Sequence, residues 1–161
     1  MSANTREWAD WMLLLALGGF LGNFVFSLTD HAQNGFFNPV EWLPVVTSAL
    51  AVGFLLVPFI TRVDIAYLKL CAVVLAGQAV VGLVGFTFHV ATDFRQPGAS
   101  LFERVLSGAP PMAPLLFPNL VVLGAIALWA LADHVPNHGT ALPRGSNFSA
   151  ETRPPQEGSL R

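Results

Sequence analysis

The sequence predicts an all-α integral membrane protein: a four-helix transmembrane bundle with a short interfacial amphipathic helix and a disordered C-terminal tail. Three observations carry this. Apolar residues make up 53% of the 161-residue chain and charged residues only 11%, against roughly 25% charged in soluble proteins. Mean hydropathy is +0.58. Four segments, Trp11–Leu28, Trp42–Ile60, Leu70–Phe88 and Leu115–Leu131, run without a charge, each close to the roughly 20 residues a spanning helix needs. Residues 1–132 are therefore expected to form the bundle and residues 133–161 a cytoplasmic tail.

The first span has a start signal in Asn4 or Thr5 followed by Glu7, a capping-box pattern, with Trp8 and Trp11 as interfacial anchors. The stretch before it sets Arg6 against Glu7 and Asp10, so it lacks the positive region of a cleaved signal and the first span is expected to remain as an anchor. Ahead of the second span, NPVE offers Asn38 as N-cap, Pro39 at the first helical position and Glu41 at the third. Pro44 then falls where a backbone donor is normally needed, which predicts a kink or a short separate turn.

TRVDIAYLK reads as a tight polar turn into the third span. Between the third and fourth spans, SLFERVLSG pairs Ser100 with Glu103 as a capping box and ends on Gly108, a short amphipathic helix suited to the membrane surface. After Leu131 the chain turns rich in Pro, Gly and Ser, which cannot bury enough apolar surface to order itself. Lys and Arg near the spans divide as Arg6, Arg62, Lys69 and Arg144 against Arg95 and Arg104. That bias places both termini in the cytoplasm and the first and third loops outside, in a bacterial inner (plasma) membrane.

Several functions are disfavoured. A net charge of −2 gives no basic surface for nucleic acid. Cys71 stands alone, so no Cys-x-x-Cys relay and no internal disulfide exist. No span carries a charge near its centre, as proton-coupled transporters usually do. Glu-x-x-His, His-Glu-x-x-His, Gly-x-Ser-x-Gly and phosphate-binding glycine loops are all missing.

What chemistry remains lies on two stripes. On the third span Cys71, Gln78, Gly82, Gly85, His89 and Asp93 fall within an arc of roughly 80° at 100° per residue. Gly19, Asn23, Ser27 and Asp30 do the same on the first, with His31 next in sequence. Such stripes should turn away from lipid, and two of them can do so by facing each other. Asp30, His31, His89 and Asp93 would then converge at one membrane surface, with Glu41 and Asn119 entering from the other spans. Imidazole and carboxylate ligate zinc, iron, copper or manganese, and two histidines can hold a haem iron axially; the plain reading is polar helix ends meeting headgroups and water. Asn23, Ser27, Gln78 and Asn119 are expected as interhelical hydrogen-bonding residues, Gly18 and Gly22 as a packing face within the bundle or, as the alternative, a dimer seam, and Cys71 as a small core residue. His134 and His138 are kept off one helix face by Pro136.

GAPPMAPLLFPN, taken with Phe88-His89, Asp30-His31 and Glu41-Trp42, resembles small bacterial inner-membrane proteins, which implies a location and no activity. The function favoured is a non-catalytic accessory or assembly subunit of a larger membrane complex, its partners the lipid bilayer and other membrane subunits or a second copy. The alternative is a metal- or haem-binding protein for redox or metal handling, the metal or cofactor itself unspecified. The third is small-molecule permeation along Asn23 and Gln78.

Overall fold

The computed structural model describes residues 3–95, 100, 102–103 and 112–135. Four long helices form, α1 (Ala3–Gln33), α2 (Trp42–Ile60), α3 (Ile65–Arg95) and α4 (Leu116–Ala132), with 3-10 turns at Pro39–Glu41 and Ala113–Leu115. Each is long and apolar enough to cross a membrane. Among the described residues there is no strand.

The helices stand in a ring. α1 packs against α2 and α4, and α3 packs against the same two neighbours, so α1 and α3 occupy opposite corners. One end of the bundle, the hairpin end, holds the α1–α2 reversal and the start of α4. The other, the turn end, holds the Thr61–Asp64 connection. Leu13, Ala16 and Phe20 of α1 meet Ala51 and Leu55 of α2, Leu68, Cys71 and Leu75 of α3, and Phe117, Ala127 and Leu128 of α4 in one core. Large apolar side chains also cover the outside, among them Leu15, Phe26, Ile60, Val73 and Trp129. Water gives no reason for such a surface, and hydrocarbon does.

Helix starts and stops follow local chemistry. Asn38 Oδ1 accepts from the Val40 N–H at 3.1 Å, and Pro39 occupies the first position of the 3-10 turn. That turn restarts the helix count, so Pro44 falls in the first turn of α2, where no intrahelical donor is required. At the other end of the chain's first helix, α1 runs through Asn4 and Thr5, so neither acts as its cap. α3 begins earlier than the apolar run suggests because Asp64 accepts from the Tyr67 N–H at 2.8 Å, an N-cap that extends the helix through Lys69.

The Ser100–Glu103 capping box is formed. The Ser100 N–H and hydroxyl donate to Glu103 Oε2 at 2.8 and 3.0 Å, and the Glu103 N–H donates back to Ser100 Oγ at 3.3 Å. Phe102 and Glu103 are helical; the amphipathic helix expected beyond them, and the tail from Pro136 onward, lie outside the described residues.

Glycine lets α3 and α4 approach closely. A Cβ on Gly82 would stand 2.7 Å from Phe117 Cβ, the Pro114 carbonyl oxygen and Pro118 Cδ, so α3 lies directly against the start of α4. Gly18 and Gly22 behave differently from the packing face expected of them. No atom lies within 4 Å of a Cβ at either one, because the inward face of α1 runs through Leu13, Ala16, Phe20 and Asn23. An i, i+4 glycine pair marks a face without saying whether that face looks inward.

Candidate functional site at the hairpin end

The α1–α2 hairpin is built from a helix stop. The Phe36 N–H donates to the His31 carbonyl at 3.0 Å and the Gly35 N–H to the Ala32 carbonyl at 3.1 Å, the bond pair of a Schellman motif. Gly35 takes the left-handed conformation this demands (φ +76°), and Phe36 follows it at φ +48°. A non-glycine residue there costs roughly 1–2 kcal/mol. Phe36 offsets that cost by stacking on Trp42, ring centroids 4.0 Å apart and 12° from parallel, while its other neighbour is the His31 ring at 6.1 Å.

This reversal carries Glu41 back over α1. Its Oε2 lies 3.6 Å from His31 Nδ1, and the two side chains are only 12% and 18% exposed. The separation is an ion-pair distance and exceeds hydrogen-bond length. Glu41 Oε2 is buried and has no hydrogen-bond partner. Imidazole and carboxylate, largely withdrawn from solvent, thus form a knot at one end of the bundle with two stacked aromatic rings, of which Trp42 is exposed.

The remaining site residues take separate places. Asp30 is exposed at the end of α1, where its carbonyl accepts from the Asn34 side chain and N–H. His89 is half-buried near the end of α3, on the opposite corner from α1. The Asp93 side chain lies outside the described atoms. Among the described residues no three His, Cys, Asp or Glu side chains come together as a metal site.

Both polar stripes turn inward, yet each meets a different neighbour. Gln78 is buried on α3 and its Nε2 donates to the Thr47 carbonyl of α2 at 2.7 Å. Gly82 and Gly85 lie against Pro114 and Phe117, and Gly19 of α1 against Leu120. The start of α4 therefore fills the space in which the two stripes were expected to meet. Asn23 is buried on α1 with Nδ2 unpartnered, Gln78 Oε1 is likewise unpartnered, Ser27 is half-buried and Asn119 is exposed on α4.

Sequence reasoning missed a second tie between α2 and α3, although its signal was present. Pro58 stands inside α2 and cannot donate to the Phe54 carbonyl four residues earlier. The Tyr67 hydroxyl donates to that carbonyl at 2.9 Å, and Cys71 Sγ approaches it at 3.7 Å. A proline within a span frees a carbonyl, and a tyrosine just past the turn is placed to take it up. Gly35 was missed for a similar reason, since Asn34-Gly35 after a polar helix end is a stop signal.

The chain matches no protein-family model, no curated protein and no solved structure.

Proposed function

We propose that the chain is a four-span protein of a bacterial inner membrane, both termini cytoplasmic, acting as a non-catalytic accessory or assembly subunit of a larger membrane complex. The observation that carries this is the make-up of the interior. The polar side chains buried among the described residues are Asn23, Ser48 and Gln78, all neutral. Ser48 returns its hydroxyl to the Pro44 carbonyl of its own helix and Gln78 links α3 to α2. Such groups hold helices together, whereas proton or ion movement uses ionisable ones.

The hairpin end supplies a surface for recognition, with exposed Phe37 beside the Phe36–Trp42 stack. A second reading, metal or haem binding there, is favoured by one observation: a carboxylate oxygen and an imidazole nitrogen 3.6 Å apart, to which Asp30, His89 and Asp93 would have to be added.

One preparation separates the two. Mild detergent extraction followed by native electrophoresis should show the chain in an assembly larger than a dimer of itself, with no metal or haem in stoichiometric amount. A haem absorption band, or one metal per chain by elemental analysis, would overturn the non-catalytic reading in favour of the second.

A further inference from the structure

Asn119 is out of place. It lies in α4 six residues after Ala113, where the span Ala113–Ala132 begins, hence about 9 Å inside it at 1.5 Å per residue. Its side chain is exposed and makes no hydrogen bond among the described residues. Around it α4 presents Leu116, Val122, Ile126 and Trp129, each between 48 and 69% exposed. The steps along this face are three, three, four and three residues, the spacing of a helix that packs against another along one seam. Neither α1 nor α3 covers it.

We propose that this face of α4 binds the same face of a second copy of the chain, with Asn119 hydrogen-bonded to Asn119 of that copy across a twofold axis. The inference rests on the membrane reading above, because only hydrocarbon makes an unpartnered amide costly. The choice of a second copy follows from the chemistry of the amide. It carries donor and acceptor together, so two of them satisfy each other reciprocally, as a twofold interface requires. The flanking apolar side chains need only shape. The outward face of α1, with Gly18 and Gly22, offers no polar group in need of a partner.

The test uses the full chain in native membranes, with Cys71→Ala as the parent and single cysteines introduced by Val122→Cys or Ile126→Cys. A short thiol crosslinker should give a band of twice the chain mass at both positions and little at Gly18→Cys. Adding Asn119→Leu should cut the crosslinked fraction about tenfold, the value of an interhelical amide bond in lipid, while Asn119→Gln should retain most of it. Asn119 lies on the surface, so both variants should fold as the parent does and accumulate in the membrane in the same amount. Three results would overturn the proposal: equal crosslinking with Asn119→Leu, crosslinking through Gly18→Cys alone, or bands showing only a partner of different mass. An alkaline wash of the same membranes distinguishes the two levels. If the chain stays in the membrane but α4 does not crosslink, the pairing alone fails; if the wash releases the chain, the membrane reading fails and the pairing with it.

Discussion

The two ends of the α2 helix are tied to their neighbours by different chemistry. At the turn end, Pro58 withholds a donor and Tyr67 supplies one, so the Phe54 carbonyl is satisfied from α3. At the hairpin end, the chain reverses through Gly35 and Phe36, rings stack, and Glu41 Oε2 is left buried beside His31 without a hydrogen bond. The first arrangement leaves nothing over and serves the fold. The second retains unused hydrogen-bonding capacity close to the surface, and that contrast is why the hairpin end, and not the turn end, is the candidate site.

The largest effect is expected at the satisfied tie. Tyr67→Phe combined with Cys71→Ala strips the Phe54 carbonyl of both side-chain partners and should destabilise the bundle by about 1–3 kcal/mol, the cost of a buried acceptor left unmet. Unfolding in mixed micelles measures it; a loss near zero would mean the tie is decorative. Next comes the reversal itself. Gly35→Val forces a β-branched residue to φ +76° and should cost about 1–2 kcal/mol, visible in the same assay.

Sharper than either is a cycle on the turn end. In a Pro58→Ala background the restored N–H can bond the Phe54 carbonyl along α2, so Tyr67→Phe should matter less there, with a coupling of about 1 kcal/mol. Strictly additive losses would break the link between proline and tyrosine.

The smallest effect lies outside the spans. Donation from the Ser100 N–H and hydroxyl holds the Glu103 carboxyl below the usual carboxylate range. A depressed folded value means the ionised form is the one bound. The capping box is therefore at full strength above the ordinary glutamate range and fades as pH falls through the lowered value. The residue-100 amide resonance, followed by NMR, should titrate at lower pH than a free glutamate would impose, and Ser100→Ala should reduce that displacement without abolishing it, since the backbone N–H at residue 100 still donates to Glu103.

Much of the fold was legible because length and freedom from charge are simple signals of a long apolar helix. Charge-free runs of spanning length gave all four helices, and Asn38-Pro39 gave the start of the second. The inward turn of both polar stripes is the one expected of helices in lipid, where polar groups are costly. Which helix each stripe would meet did not follow, because periodicity fixes a face and not a neighbour. Gln78 found a backbone carbonyl on α2, and Gly82 found Pro114 and Phe117. His31 was singled out from sequence, and Glu41 was placed only as an entrant from the second span. Their proximity depends on Gly35 and Phe36 both taking positive φ, and a phenylalanine gives no sequence sign of that.

The central claim is that the chain crosses the membrane four times with the His31–Glu41 hairpin outside. In a Cys71→Ala parent, Phe37→Cys and Thr61→Cys place one thiol at each end of α2, both at exposed positions. A membrane-impermeant maleimide applied to intact cells should label the first and reach the second only after permeabilisation. Labelling of both from outside, or of Thr61→Cys alone, would contradict the account.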